Sequence, residues 1–435
     1  MKYYSTNNRT LFTTLKDAVL TGLATDNGLY MPERIPVLPA EFFRGLHEMD
    51  FKEIATAVAA PFTGDEIPEE ELRRIVTHTL QFDAPLVNVE DNVSALELFH
   101  GPTMAFKDFG ARFMSQLLRY FAAQINREIV ILVATSGDTG SAVANGFLNV
   151  PGIRVIVLYP SGKVSEIQEK QFTTLGGNVV ALEVEGTFDD CQRLVKTAFL
   201  DPALREQYFL TSANSINIAR LIPQSFYYFQ AYARRNRRDR NVIFSVPSGN
   251  FGNLTAGLFA KRMGLPVTRF VAATNINDVV PQYLVNGVMK PRPSVQTLSN
   301  AMDVGNPSNF ARIMDLYNSD IDAVRKDIAG YSFTDEETRT TIKKVADATG
   351  YVLDPHGAIG YLGLKKILAE SGADENGIFL GTAHPAKFKD VVEDVLGRTI
   401  PLPETLENFV RGHKQTVPVS SDYDDFKIEL EEQLG

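Results

Sequence analysis

One lysine of this chain, Lys107, stands where its amine could act as a nucleophile. It follows the turn Gly101-Pro102 and precedes phenylalanines and leucine that recur at every fourth position from Phe109 to Phe121. This spacing predicts an amphipathic helix that begins just after the lysine. The positive end of the helix dipole disfavours an ammonium by roughly 0.3–1 kcal/mol and so favours the neutral amine that carbonyl chemistry requires. Taken alone, Lys107 would more often be one solvated cation among the 43 Lys and Arg residues.

A second candidate site is the glycine-rich turn Pro247-Ser-Gly-Asn-Phe-Gly-Asn253. It joins a predicted strand, 242–246, to a helical pattern that starts near Leu254. Backbone amides at such a junction can bind one anion together, and the glycines let the backbone approach it closely. The turn matches neither the dinucleotide fingerprint nor a Walker A loop. We expect a phosphate site here, although an ordinary tight turn fits this sequence equally well in isolation.

A third candidate is the loop Thr135-Ser-Gly-Asp-Thr-Gly-Ser141, which follows the predicted strand 129–133 in the same way. Its hydroxyls and amides converge with no cation nearby in sequence. Such a loop suits a carboxylate or a second phosphate. Structural capping of the following helix is the alternative.

In chain order, several stretches resemble the threonine synthase family of pyridoxal-phosphate enzymes. They are Leu98–Gly110, Thr135–Ser141, Pro247–Thr255 and Gly381–Lys387, with the linking segments Asn214–Asn217 and Leu298–Asp303. The resemblance covers nearly the whole chain. It implies the cofactor pyridoxal 5'-phosphate and conversion of O-phospho-L-homoserine and water into L-threonine and phosphate.

The same resemblance implies roles for individual residues. Lys107 would bind the cofactor covalently and then act as the general base, and the hydroxyl of Thr382 would bond the pyridine nitrogen. The cofactor phosphate would be held by Gly249, Asn250, Phe251, Gly252 and Asn253. The amino acid portion of the substrate would be held by Thr135, Ser136, Gly137, Asp138 and Thr139. For the substrate phosphate, our candidates are Arg112, Lys163, Ser215 and Asn217.

Two alternatives remain open at this point. Dehydratases and β-replacement enzymes of the same fold typically carry Ser-x-Lys around the lysine, where this chain has Ala105-Phe-Lys107. A catalytically silent homologue that binds a phosphorylated amino acid is the alternative from another class. The intact lysine and both anion loops argue against it.

The order of strand-like and helical stretches predicts the organisation of the chain. Residues 1–94 read as an N-terminal, mainly helical domain, because prolines interrupt helical pattern without repeated strands. From residue 95 on, β-branched runs alternate with helices, which predicts an α/β fold with two doubly wound parallel-sheet lobes and the cofactor between them. We place the first lobe at 95–215 and the second at 216–435, the latter with the phosphate loop and the C-terminal tail.

Composition narrows the class of protein further. A net charge of −10 makes nucleic acid or an anionic membrane an unfavourable partner. The N-terminus lacks an apolar signal segment, and the single cysteine, Cys191, suits a reducing compartment, so we expect a cytoplasmic protein. The six histidines are scattered, which predicts no metal site. We expect a small-molecule substrate and a monomer or homodimer.

Overall fold

The computed structural model describes residues 1–125, 127–371 and 375–435. These residues form three β-sheets covered by helices. Within the described ranges, no helix is long and apolar enough to cross a membrane.

The N-terminal region is mainly helical, as predicted, but it also contains a small antiparallel sheet. Its elements are β1 (Tyr3–Ser5), β2 (Asn8–Thr13), α1 (Leu15–Thr21), β3 (Tyr30–Pro32), α2 (Ala40–Gly45), α3 (Phe51–Thr63) and α4 (Glu69–Thr79). The sheet has the strand order β2-β1-β3. Helices α2 and α3 are separate, and Asp50 starts α3 with a capping box.

The two lobes follow in the order that the alternating pattern predicts. Their elements as far as residue 234 are β4 (Leu86–Glu90), β5 (Val93–Glu97), α5 (Lys107–Ala122), β6 (Ile129–Ala134), α6 (Asp138–Phe147), β7 (Ile153–Pro160), α7 (Glu166–Thr173), β8 (Val179–Glu185), α8 (Phe188–Leu200), α9 (Pro202–Gln207), β9 (Phe209–Thr211), α10 (Ile218–Leu221) and α11 (Phe226–Arg234). Helices α10 and α11 are separated by a 3-10 turn at Ile222–Ser225, which contains Pro223. Proline lacks the amide proton that a continuous helix needs there.

The remaining elements complete both sheets. They are β10 (Val242–Pro247), α12 (Gly252–Arg262), β11 (Val267–Thr274), α13 (Val279–Asn286), α14 (Phe310–Leu316), α15 (Ile321–Asp327), β12 (Ile328–Ser332), α16 (Asp335–Thr349), α17 (Pro355–Ser371), β13 (Asn376–Gly381), α18 (Lys389–Leu396), α19 (Glu404–Arg411), β14 (Val417–Ser420) and α20 (Tyr423–Leu434). The first-lobe sheet is parallel throughout, with the order β14-β8-β7-β6-β9. The second-lobe sheet has the order β12-β11-β10-β13-β5-β4, with β4 antiparallel at its edge.

Two segments lie in a different lobe from the one predicted. Strand β5, expected at the start of the first lobe, pairs with β13 in the second-lobe sheet. Strand β14, expected in the second lobe, pairs with β8 at the edge of the first-lobe sheet. A strand's own residues indicate that it is buried, but its pairing partner depends on tertiary contacts that lie far away in sequence.

The largest hydrophobic core joins the three regions. It extends from Tyr3 through α5 and strands of both lobe sheets to Leu380. Strands β6, β10 and β13 are buried along their whole length. The loops that follow them therefore rest on rigid supports.

Candidate active site

Lys107 is the first residue of α5 and lies beside Thr382. The residues before the lysine pair with the segment that follows β13. The Phe106 N–H donates to the Thr382 carbonyl at 2.9 Å, and the His384 N–H donates to the Met104 carbonyl at 3.1 Å. This pairing brings together the backbone segments that carry Lys107 and Thr382, the two residues to which the family resemblance gives the same cofactor.

The glycine-rich turn 247–253 lies at the same edge of the second-lobe sheet. Strands β10 and β13 are adjacent and parallel, so the turn after β10 and Thr382 after β13 emerge side by side. Helix α12 begins at Gly252, and its N-cap, Phe251, has a left-handed φ of 61° and makes no side-chain capping bond. Phenylalanine offers no acceptor to the first amides of the helix, and a bound anion would supply one.

The shape of this turn is fixed by close packing and by its own side chains. A Cβ on Gly249 would lie 2.7 Å from the Ala301 carbonyl oxygen and 3.0 Å from the Met302 Cα, so only glycine fits. The Asn253 amide donates to the Pro247 carbonyl at 2.8 Å and closes the turn. The backbone is thus preorganised before any ligand arrives.

The loop 135–139 lies at the carboxyl end of β6 and starts α6. The Thr135 hydroxyl accepts hydrogen bonds from the Gly137 and Gly140 amides at 3.0 and 2.8 Å, which gives it the capping role that was left open. Ser136 is exposed and Thr139 is partly exposed. These two hydroxyls, unlike that of Thr135, face regions that a substrate can reach.

Asp138, the first residue of α6, is buried in an ion pair. Its Oδ1 lies 2.7 Å from the Nζ of Lys387 and accepts a bond from the Gln168 amide at 2.9 Å. Burial alone would raise the pKa of the Asp138 carboxyl, but the nearby lysines, Lys387 more than Lys107, hold that pKa well below its usual range. The carboxylate is therefore charged at any physiological pH.

The pKa of Lys107 is lowered from its ordinary value. Burial is the largest cause, the Asp138 carboxylate opposes it, and the cations Lys387 and Arg220 lower the pKa further. Burial thus adds, for the neutral amine, a second cause to the helix dipole considered from the sequence.

Asp108, which follows the lysine, is also buried and fixes the turn before it. Its carboxylate accepts bonds from the Thr103 amide and hydroxyl at 2.9 and 2.6 Å. Burial raises the pKa of Asp108 to about 6, despite these bonds. The Thr103 carbonyl in turn accepts bonds from the Lys387 ammonium at 2.8 Å and the Gln171 amide at 2.9 Å.

Arg220 on α10 is a buried cation that sequence reasoning missed. Its NH1 donates to the Ala213 carbonyl at 2.5 Å, but its buried Nε has no partner among the described residues. A Cβ on Gly110 would lie 2.8 Å from that Nε, so the guanidinium lies against α5 one turn beyond Lys107. Burial lowers the pKa of Arg220 to about 10, which leaves it charged at neutral pH. An unpaired buried guanidinium is suited to an anion.

Comparison with known proteins places this chain in a family. Residues 2–80 match the family described as "Threonine synthase N terminus", 79–380 match "Pyridoxal-phosphate dependent enzyme", and 357–427 match "Threonine synthase, C-terminal". The curated threonine synthase of Serratia marcescens is 47% identical over 407 residues, which is 93% of each chain. The chain belongs to the threonine synthase family.

Solved structures of threonine synthases share the whole architecture. The Escherichia coli enzyme superposes with a TM-score of 0.91 at 43% identity, covering 99% of this chain and 100% of that one. A PLP-bound threonine synthase from Brucella melitensis gives a TM-score of 0.94 at 37% identity, covering 100% and 99%. Membership in the pyridoxal-phosphate family makes this chain a lyase with pyridoxal 5'-phosphate as its cofactor.

The geometry of this site fits pyridoxal phosphate. An aldehyde carrying a phosphate needs a neutral amine at one end and an anion-binding turn at the other. Lys107 and the uncapped start of α12 supply these at one sheet edge. The turn is also one where a Cβ on Gly249 would clash with backbone, which keeps its amides in place.

Two predicted phosphate ligands have their polar atoms engaged elsewhere. Arg112 donates to the carbonyls of His78 and Thr79 at 2.6 and 3.1 Å and to the Gln81 side chain at 2.6 Å, so it secures the end of α4. Asn217 caps α10 through the Ala219 amide at 3.0 Å and donates to the Val19 carbonyl at 2.8 Å. We therefore leave both residues out of the substrate site.

The other two candidates remain compatible with substrate binding. Ser215 is partly exposed, in the segment just before α10. Lys163 is exposed in the turn after β7, at the same edge of the first-lobe sheet as the loop 135–139. The family-like stretch Asn214–Asn217 lies close to Arg220 in sequence and could have drawn attention to it. Its burial, however, is visible only in the folded structure.

Proposed function

We propose the following division of labour among the residues of this threonine synthase, in the conversion of O-phospho-L-homoserine and water into L-threonine and phosphate. Lys107 holds the cofactor and, once released by the substrate amine, moves protons at the α- and β-carbons. The carrying observation is the backbone pairing of Met104–Phe106 with Thr382–His384, which sets the lysine beside Thr382. When bound, pyridoxal phosphate supplies the electron sink for proton loss at carbon.

The cofactor phosphate is held by the backbone of Gly249, Asn250, Phe251, Gly252 and Asn253. Thr382 orients the ring with a neutral hydroxyl in place of a carboxylate. Its side chain is nearly buried, at 5% exposure, so that bond would be protected from water. A neutral partner leaves the pyridine ring less positive than an aspartate would, so the ring withdraws electrons from the substrate less strongly.

The substrate is held by both lobes. The amides at the start of α6 and the hydroxyls of Ser136 and Thr139 bind its carboxylate, with Thr135, Gly137 and Asp138 shaping that loop. Its phosphate is bound by Arg220 and Ser215, with Lys163 near the opening. The buried Nε of Arg220, which lacks a partner among the described residues, supports this assignment.

Replacement of Lys107 by alanine tests the central assignment. We expect Lys107→Ala to lose the visible absorbance of the covalently bound cofactor and to release phosphate from phosphohomoserine about 10³-fold more slowly or worse, because general acid–base catalysis is lost. The matched control is Lys365→Ala, an exposed lysine paired with Glu90 at the other end of the second lobe. A Lys107→Ala protein that keeps both the absorbance and full turnover would refute the assignment.

The phosphate-release assay also distinguishes threonine synthase activity from dehydratase activity, the alternative considered from the sequence. A dehydratase would form a ketoacid from threonine or serine and leave phosphohomoserine unchanged.

We infer further that the protein acts in the cytoplasm as a monomer or homodimer. The acidic net charge of −10 and the single, buried Cys191 support this. Sedimentation of the full-length chain distinguishes the two assembly states.

A further inference from the structure

Lys387 is a buried cation near the cofactor lysine. Its side chain is 0% exposed, and it lies in the 3-10 turn Pro385–Phe388 that follows Thr382. Its ammonium contacts the Asp138 carboxylate at 2.7 Å and the Thr103 carbonyl at 2.8 Å. One side chain thus joins the start of α6, the turn before Lys107 and the segment after β13.

Burying a charge of this kind is costly, so it needs an explanation. A neutral side chain of similar length could fill the space, but it would leave the Asp138 carboxylate without a cation. The cation then available would be Lys107, since Asp138 is the carboxylate that acts most strongly on that amine. An opposite charge within about 4–6 Å stabilises the ammonium form of a lysine by roughly one to three pKa units.

The charged groups that face Lys107 come from each element packed around it. They are Asp138 on α6, Lys387 after β13 and Arg220 on α10, with Asp108 next to it on α5. Of the two carboxyl groups in this set, Asp138 is held by Lys387 and by the Gln168 amide. Asp108 is turned toward Thr103 instead.

We propose that Lys387 is a positioning residue that retains the Asp138 carboxylate and so prevents it from capturing the Lys107 amine as an ammonium. Lys107 then stays free to take a proton from the substrate and to give it back. This inference rests on the proposed role of Lys107 as the cofactor lysine. It assigns to Lys387 a charge-based task that a purely structural lysine would not have.

The test measures how readily Lys107 loses its proton, with a readout separate from turnover. Full-length protein is stripped of its cofactor, and its rate of recombination with pyridoxal phosphate is followed by absorbance across a pH series. Only the neutral amine adds to the aldehyde, so the midpoint of this profile reports the pKa of Lys107. Borohydride trapping followed by peptide mass analysis verifies that the label is on Lys107.

We expect Lys387→Gln, which keeps hydrogen-bonding atoms but removes the charge, to raise the midpoint by about one pH unit or more. Recombination below the midpoint then slows about tenfold. Asp138→Asn should lower the midpoint, because the carboxylate that favours the ammonium is gone. The double variant Asp138→Asn/Lys387→Gln should return near the wild-type midpoint, and the exposed control Lys365→Gln should not move it.

A folded Lys387→Gln protein with a wild-type midpoint would overturn the proposal, even if its thermal stability fell, since lost stability alone would mark a structural lysine. If Lys387→Gln does not fold, Asp138→Asn decides in the same way, and an unmoved midpoint overturns the proposal. A borohydride label on a lysine other than Lys107 would instead overturn the proposed function, so the two failures are distinguishable.

Discussion

Arg220 is a single buried group to which we assign a ligand. The residue is 3% exposed, it is charged at neutral pH, and its Nε finds no acceptor among the described residues. A buried donor without an acceptor costs roughly 1–3 kcal/mol, and more when it is charged. In our proposal this cost is offset when the substrate phosphate enters the site, so that phosphate would be bound more tightly there than at a solvated arginine.

We therefore predict that Arg220→Met raises the KM for phosphohomoserine about 10- to 100-fold, the loss expected for one or two charge-assisted hydrogen bonds. The visible absorbance of the bound cofactor should persist, because Arg220 is assigned to the substrate and not to the cofactor. Steady-state kinetics with a parallel absorbance spectrum checks both points.

Arg112→Met is the matched control for this experiment. Arg112 is also an arginine close to Lys107 in sequence, on α5, but its hydrogen bonds go to the end of α4. Arg112→Met should therefore lower thermal stability and leave the KM for phosphohomoserine nearly unchanged. A large KM increase for Arg112→Met with none for Arg220→Met would reverse our assignment.

Sequence reasoning singled out some of these residues and missed others for a physical reason. Lys107 and the turn 247–253 stand out by local pattern, as a lysine before a helix and a glycine-rich turn after a strand. Thr382 is implied only by the family resemblance. Arg220 and Lys387 matter because of what surrounds them. Arg220 lies against α5 only once α10 packs there. Lys387 reaches the Thr103 carbonyl only once the chain returns after β13.

At the scale of elements, the phosphate turn depends on tight packing against the segment 301–302. Gly249 faces the Ala301 carbonyl at a distance that no Cβ accepts, whereas a Cβ on Gly252 would make ordinary contacts, at 3.4 Å from the Asn309 side chain and 3.8 Å from that of Gln224. The two positions therefore differ in how strictly packing requires glycine. Packing requires it at Gly249 but not at Gly252.

We predict that Gly249→Ala lowers the free energy of unfolding by about 1–3 kcal/mol, the usual cost of overpacking. Gly252→Ala should change it by less than about 0.5 kcal/mol, because the added methyl group makes an ordinary contact. Denaturant unfolding of both variants, stripped of cofactor, checks this difference. Equal losses in the two variants would show that the contact with Ala301 is not what constrains the turn.

The strands themselves were predictable, and their neighbours were not. Runs such as Ile129–Ala134 and Val242–Pro247 are apolar along their length because both faces of a parallel sheet are covered, and such runs are recognisable from sequence. Nothing in Val93–Glu97 indicates that it pairs with β13 rather than with β6. That choice depends on the whole chain's packing.

At the scale of the whole molecule, Arg312 ties the regions together. This fully buried residue of α14 donates to the Tyr30 carbonyl at 3.0 and 3.1 Å, to the Ile216 carbonyl at 2.6 Å and to the Asn309 side chain at 2.6 Å. Its contacts reach the N-terminal region, the segment between the lobes and the second lobe. Burial lowers its pKa to about 9, and it remains charged at neutral pH.

We predict that Arg312→Met lowers the free energy of unfolding by about 3 kcal/mol or more, because several buried acceptors lose their donor at once. Arg339→Met, which removes an exposed ion pair with Asp394, should cost less than about 1 kcal/mol. Thermal unfolding followed by circular dichroism compares the two. Similar midpoints for both variants would show that Arg312 does not join the regions energetically.

Strand β14 is the last strand to be translated, although it completes the sheet of the first lobe. The first-lobe sheet ends in β8 until β14 arrives, and β14 comes after every strand of the second lobe. A nascent chain must therefore carry β8 with one edge of unpaired amides and carbonyls while the other lobe is translated. Such an edge invites pairing with another chain. Slow translation or shortage of chaperones should thus harm the yield of this protein more than its final stability would suggest.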